Sequence, residues 1–332
     1  GQDLERVARA TGFERVDELL SSLDATRNSV LDQIEASFPY QQDSDGQDDH
    51  RAAWAALKTG ELLPESLDRE VLDTFMAALS RLKLSQRADQ RLDRFMPGLL
   101  SALSQGTWDA GVLADVLDLV LAISRRSAYL SLLVHNPKAL ERMLALFAES
   151  DWIASIVIRH PALLDELIDP SLGKMLPDRE EMNLTAERIL SSNQDTETAL
   201  LAMNHMKRAF SLRVAVAELE TTLTPGQVQD ALTHLAETII HGCYQLALRD
   251  VREKHGHLEG DGIAIIGYGS LGAGELGYQS DLDLIFLYRQ GHGASDGRRP
   301  IETERYHTAV VRRLLSFLTS TTTSGRLYEV DT

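Results

Sequence analysis

The 332-residue chain has a single cysteine, Cys243. A lone thiol excludes an internal disulfide and any Cys-rich zinc site. Its setting in the apolar pattern Ile239, Ile240, Cys243, Leu246 makes it a packing residue rather than a nucleophile. The ten histidines show no paired ligand spacing of the H-E-x-x-H kind. No stretch approaches the ~18 uninterrupted apolar residues of a membrane-spanning helix, so no membrane partner is expected. Basic residues are also in short supply, 33 against 50 acidic ones, for a net charge of −17. A polynucleotide-binding protein carries a basic footprint, so nucleic acid is not an expected partner and a protein or small-molecule acceptor fits better. The opening Gly1-Gln2-Asp3-Leu4 has neither an initiator Met nor a signal-peptide profile. It reads as a piece of a longer protein, and the cytoplasm is the expected compartment.

What is present, over most of the length, is helical periodicity. Leu4, Val7, Val16, Leu19, Leu20, Leu23, Val30, Ile34 and Phe38 suggest a helical pair that Pro39 ends. The acidic stretch Gln41 to His50 reads as a surface loop or linker, and residues 51 to 86 as a second pair broken near Gly60 and Pro64. Denser helices follow. Asn136-Pro137 reads as an N-cap with Pro at the first helical position, and Ser150-Asp151 opens a helix that His160-Pro161 closes. Two long helices are expected over roughly Thr185 to Leu223 and Pro225 to Lys254, with Thr224 capping the second. Arg208 and Arg213 on the first of these read as a solvated face. No alternating apolar run precedes Ile263, so strands are expected only in about the last 75 residues.

The change comes at Ile263 to Tyr288, IAIIGYGSLGAGELGYQSDLDLIFLY. A β-branched run leads into five glycines and then into Ser280-Asp281-Leu282-Asp283, followed by a second apolar run. Gly267, Gly269 and Gly272 spell G-x-G-x-x-G, the fingerprint of dinucleotide-binding folds. That fold needs a full crossover helix of roughly a dozen residues or more, and the stretch between Gly272 and Asp281 is too short for one. The spacing fits a nucleotidyltransferase arrangement instead: strand, Gly-Ser turn, short helix, strand bearing D-x-D. Strand alternation puts Asp281 and Asp283 on the same side, where they repel unless a cation lies between them. A divalent metal carrying a phosphate is the natural counter-charge. The D-x-D tripeptide by itself is also common as a solvated strand start; the Gly269-Ser270 turn about ten residues upstream makes the difference. There, backbone N–H groups can approach a triphosphate closely.

A loop over Gly291 to Arg299 and a helix from about Ile301 to Leu318 come next, and then a last strand, Leu327 to Asp331. Alternation would put Leu327, Glu329 and Asp331 on one face and pack Tyr328 and Val330 on the other. Asp331 beside the D-x-D pair would supply the third anionic ligand of a two-metal site, with Glu329 a neighbouring surface acid.

Gly267 to Leu287, GYGSLGAGELGYQSDLDLIFL, and Thr323 to Asp331, TSGRLYEVD, resemble the bifunctional glutamine synthetase adenylyltransferase/adenylyl-removing enzymes. Arg125 to Tyr129, the Asn136-Pro137 helix and Leu163 to Leu167 resemble that family's central helical region. The G-Y-G and L-G-Y-x-S-D wording is similar to the transferase half rather than the removing half. Ala273 stands where the family usually has glycine, Ser270 where lysine is more frequent, and the R-L-R-P segment expected after Asp331 is absent.

The resemblance implies a mainly α chain with a C-terminal α+β part: helical bundles followed by a truncated nucleotidyltransferase core of the DNA polymerase β-like type. Its implied divisions are residues 1–40, the helical tail of a preceding adenylyl-removing half; 41–89, an acidic linker and helical connection; 90–255, a helical bundle; and 256–332, the incomplete core. It implies ATP and Mg²⁺ as cofactors, glutamine synthetase as protein substrate and a PII-type signalling protein as a further partner. Asp281, Asp283 and Asp331 become metal ligands and catalytic residues, and Gly269, Ser270, Gly272 and Ser280 become nucleotide-binding residues.

Overall fold

A computed structural model describes residues 13, 15, 18, 19, 22, 26, 47–59, 68–106, 108–168, 175–192, 195–221, 223–320 and 325–332. The helical pair expected before Pro39 falls almost wholly outside these residues. The chain divides into two compact units, Gly1–Pro161 and Ala162–Thr332.

Among its described residues the first unit is helical: α1 (Gln47–Thr59), α2 (Arg69–Arg81), α3 (Gln86–Gln105), α4 (Ala110–Ile123), α5 (Ser127–His135), α6 (Pro137–Glu149) and α7 (Asp151–Arg159). Helix α1 begins at Gln47, inside the stretch expected to be a loop. Short polar side chains start most of these helices by accepting otherwise unpaired N–H groups. Asp68 accepts from Glu70 and Val71, Asp109 from Val112, and Ser150 from Ile153. Asn136 does not cap α6: its side-chain amide turns back to donate to the Leu132 carbonyl, although Pro137 does take the first helical position. Helix α3 packs against α1 and α5, and α4 against α2 and α7. Leu72, Leu92, Leu99, Val116, Leu130 and Leu144 are fully buried in this unit. Each such aliphatic side chain contributes roughly 1.5–3 kcal/mol over leaving it in water.

A 3-10 turn, Pro161–Leu163, spans the division and runs into α8 (Leu164–Ile168); the second unit continues with α9 (Arg179–Ser192), α10 (Thr196–Glu220) and α11 (Pro225–His255). One long helix over Thr185 to Leu223 was expected. Instead the chain breaks after Ser192, and Asp195 starts α10 by accepting from the Thr198 N–H at 2.8 Å. Thr224 caps α11 with a reciprocal capping box to Gln227, and Pro225 is its first helical residue, as the sequence indicates. Arg213 is not solvated: it clamps Glu181 through both guanidinium nitrogens at 2.6 and 3.1 Å, tying α10 to α9.

After α11 come β1 (Ile263–Tyr268), α12 (Gly269–Ala273), β2 (Leu282–Tyr288), α13 (Thr303–Thr319) and β3 (Val330–Asp331). The strands form one sheet in the order β1-β2-β3, with β1 antiparallel to β2 and β3 parallel to it. One face packs on the helices: Leu282 and Leu284 join Ile239, Ile240, Cys243 and Leu246 of α11 and Tyr306, Val310 and Leu314 of α13 in a single core. Burial pushes the Cys243 thiol up to about 12, the state of an inert packing residue. The other face shows Ile266, Tyr268, Ile285 and Leu287 to solvent. Among the described residues no strand precedes β1, and no helix is long and apolar enough to cross a membrane.

Candidate metal and nucleotide site

The β1–α12–β2 unit works through its glycines. β1 runs into Gly269, whose φ of 57° lies in the left-handed region that a side chain disfavours. A Cβ there would also fall 2.0 Å from Asp283 Oδ2, so the aspartate carboxylate rests directly on the bare glycine Cα. At Gly272 a Cβ would meet the Gly267 carbonyl at 2.6 Å, so α12 folds back tightly over the end of β1. The G-x-G-x-x-G spelling thus serves a tight strand–turn–strand return with no crossover helix. Leu271 is the buried anchor of α12, while Ser270 in its first turn is exposed. The N–H groups of a helix's first turn have no intrahelical acceptor, and in α12 that turn starts at Gly269 and Ser270.

The return to β2 is pinned at Ser280, whose Oγ accepts the Gly277 N–H at 2.9 Å. Tyr278 in the same turn donates its hydroxyl to Glu218 on α10 at 2.6 Å, and burial together with that carboxylate raises its pKa. Asp281 then lies just before β2 and Asp283 is its second residue.

Asp331 arrives from the far end of the chain. β3 pairs with β2 in the register Leu282↔Val330 and Asp283↔Asp331, and side chains at matched positions of neighbouring strands point to the same face. Leu282 N–H donates to the Glu329 carbonyl at 2.9 Å, anchoring the approach. Asp281, Asp283 and Asp331 each offer a carboxylate oxygen, and these oxygens all lie within 4.8 Å of one another. Among the described residues none of the three has a cationic partner. An all-oxygen, uncompensated anionic donor set is what a hard divalent ion such as Mg²⁺ takes.

The last strand is shorter than its apolar pattern suggests, and the face assignment changes. Leu327 and Tyr328 are both buried, so alternation begins only after them; Glu329 is exposed and pairs with Arg326 at 2.5 Å. Two contributors are not evident from motif reading. Asn204 Nδ2 donates to the Gly325 carbonyl at 3.1 Å, and Lys207 Nζ donates to the Leu327 carbonyl while lying 3.7 Å above the Tyr328 ring. The signal available for them was polar side chains, Asn204 and Lys207 among them, on the stretch of α10 between the buried Met203 and Phe210.

The family model for GlnE, glutamate-ammonia ligase adenylyltransferase, matches residues 140–332. The chain belongs to this family. Curated relatives named bifunctional glutamine synthetase adenylyltransferase/adenylyl-removing enzyme are similar over nearly the whole chain. That of Xanthomonas campestris pv. campestris (strain ATCC 33913) is 35% identical over 337 residues, covering 98% of this chain and 36% of the relative. That of Hahella chejuensis is 35% identical over 353 residues, with the same coverage of both. That of Stenotrophomonas maltophilia (strain R551-3) is 33% identical over 340 residues, covering 99% of this chain and 36% of the relative. The chain therefore spans a little over a third of the length of these family members.

Proposed function

We propose that this chain is the part of an adenylyltransferase that joins its helical region to its catalytic core, and that the enzyme moves AMP from ATP to a tyrosine hydroxyl of glutamine synthetase. The observation that carries this reading is the convergence of Asp281, Asp283 and Asp331 beside the Gly269-Ser270 turn, in a member of a family named for that transfer. In the reaction the phenolic oxygen bonds to the α-phosphorus, the bond to the β-phosphate bridging oxygen breaks, and pyrophosphate and the hydroxyl proton are released. Asp281, Asp283 and Asp331 would hold Mg²⁺, with Asp331 as the ligand that serves the acceptor side. When bound, the ions neutralise the leaving pyrophosphate and lower the pKa of the attacking hydroxyl. Gly269 and Ser270 offer their N–H groups to the β- and γ-phosphates; Gly272 lets α12 come close, and Ser280 keeps the turn before Asp281 closed. Positioning and charge compensation carry the rate, because the phosphoryl group needs little covalent help from the protein.

On this reading residues 256–332 are an incomplete nucleotidyltransferase core of the DNA polymerase β-like type. Residues 90–255 are the helical bundle before it, 41–89 a linker and helical connection, and 1–40 the tail of a preceding half. A PII-type signalling protein is the regulatory partner the family resemblance suggests, and the cytoplasm the compartment. The relatives' names cover both adenylyl transfer and adenylyl removal, and the G-Y-G and L-G-Y-x-S-D wording favours transfer. The test is to supply the parent enzyme with glutamine synthetase and radiolabelled Mg²⁺·ATP, and separately to supply adenylylated glutamine synthetase with orthophosphate. Label transfer that disappears in Asp281→Asn and Asp283→Asn supports the proposal. Phosphorolysis that disappears in those variants while transfer persists would reassign the site to the removing reaction.

A further inference from the structure

Helix α10 touches both routes by which acids reach the site. Near its middle, Asn204 and Lys207 hold the carbonyls of Gly325 and Leu327, on the segment that leads to Asp331. Near its C-terminus, Glu218 accepts the Tyr278 hydroxyl, on the turn that leads to Asp281. Asn204 and Lys207 lie about one turn apart, and Glu218 follows Lys207 by just over three turns at about 3.6 residues each, so all three occupy one stripe of the helix. The Lys207 contact is well buried. Its ammonium lies over the Tyr328 ring and loses enough hydration that its pKa falls to about 8, with Arg208 adding to the shift.

Leu327 and Tyr328 bury their side chains in the core, but few directional bonds fix the backbone of the clamped segment. β3 is two residues long, and its approach is otherwise held by the Tyr328 N–H donating to the Leu318 carbonyl at 3.0 Å and the Glu329 carbonyl accepting from Leu282. A strand this short does not set its own position by ladder hydrogen bonds. A 25-residue helix packed against α9 and α11 is a rigid ruler by comparison.

We infer that α10 is a positioning clamp for the carboxylate triad: Asn204 and Lys207 set where Asp331 stands, and Glu218 through Tyr278 sets where Asp281 stands. This inference rests on reading the triad as the metal-holding set, but its mechanical half does not need a metal. The role is indirect, as with outer-shell groups that orient metal ligands, whose loss commonly weakens binding by about 10–100-fold.

The test uses the 332-residue chain, with Mn²⁺ alone as the probe, followed by calorimetry, and amide hydrogen exchange of the 325–332 peptide measured before any metal is added. Lys207→Met removes the donor to Leu327. Asn204→Ala and Tyr278→Phe are milder cuts at the two ends of the stripe, in case Lys207→Met does not fold. Leu235→Ala, fully buried in the same core, is the control for general loosening. The expected result is about tenfold weaker Mn²⁺ binding in Lys207→Met and faster exchange in its 325–332 peptide. Lys207→Gln, which keeps a donor, should recover part of both, and Leu235→Ala should leave both near the parent values. The clamp is overturned if the Lys207 and Asn204 variants exchange and bind as the parent does, or if Leu235→Ala weakens Mn²⁺ binding as much as they do. If the parent takes up no Mn²⁺ while exchange still quickens in Lys207→Met, the clamp stands and the metal reading fails.

Discussion

The two compact units are both largely helical, yet among the described residues they bury different things. The buried polar side chains of the first unit are Ser124 and Ser131. The second unit encloses Asn204, Ser211, Thr233, Thr238, Asp250, Ser295, Thr303 and His307. Several of these hold segments that have no regular ladder of their own. Asn204 holds the Gly325 carbonyl; Asp250 takes the Arg313 guanidinium at 2.8 and 2.6 Å and the Thr196 hydroxyl at 2.7 Å, joining α10, α11 and α13; and Ser295 and Thr303 close the loop before α13. Helix-on-helix packing needs only apolar stripes, whereas fixing three acids on a short sheet needs directional bonds. The difference separates a unit built by packing from one built to hold a geometry.

The sharpest way to test that contrast is to remove charge at the site without touching either core. Asp283→Asn should abolish metal-dependent AMP transfer in the parent enzyme and Mn²⁺ uptake by this chain. Stability should change by no more than ~1 kcal/mol, read from urea unfolding, because the side chain is only partly buried and lies outside the apolar core. A folded Asp283→Asn variant that still transfers AMP would remove the basis for treating the second unit as the catalytic one. The converse experiment cuts the first unit. Leu92→Ala should cost about 2–5 kcal/mol in unfolding free energy, since the site is fully enclosed. Mn²⁺ affinity measured well below the transition should be unchanged, and a fall would show that the two kinds of burial are not separable.

Gly269→Ala tests geometry rather than charge. Backbone strain at a positive φ costs about 1–2 kcal/mol, and the added methyl must displace the Asp283 carboxylate. The expected outcome is modest destabilisation with Mn²⁺ binding lost out of proportion to it. Equal losses in both would point to simple unfolding of the turn.

The smallest effect is a pH dependence specific to Lys207. Its amine titrates at about 8 in the fold and near 10.4 in the unfolded chain. Between those values the unfolded chain binds more protons, so this group makes stability rise with pH across that window. Cys243, pushed up to about 12, and the raised Tyr278 and Tyr328 act in the opposite sense above their unfolded values. The measurement is therefore the difference in urea midpoint between the chain and Lys207→Met at pH 8 and pH 10. A difference that does not move with pH would mean the ammonium is not held in the dry contact with Tyr328.

Much of this architecture is legible one residue at a time. Thr224-Pro225 announces its helix, because a capping hydroxyl and a fixed φ act within one turn of chain. Gly269 and the D-x-D pair announce the return between β1 and β2, because alternation and glycine sterics are also local. Other features were illegible because a competing contact, local or distant, decided them. Asn136 has the composition of a cap, but its amide found the Leu132 carbonyl instead. Arg213 looks like surface charge until Glu181 of α9 is brought against it. Leu327 belongs by alternation with Glu329, yet the core takes both Leu327 and Tyr328.

The sequence by itself determined the helical first part, the late strands, the Gly-Ser turn with its two acids, and the family to which those motifs point. All of these rest on periodicities and contacts spanning a few residues. Only the tertiary structure decided that Asp331 lies in register with Asp283, that Glu329 turns to Arg326 instead, and that one stripe of α10 reaches both ends of the site. Apart from the local Arg326–Glu329 pair, those pairings join residues 48 to more than 100 positions apart. No local propensity encodes them; they follow from how the helices stack under the sheet.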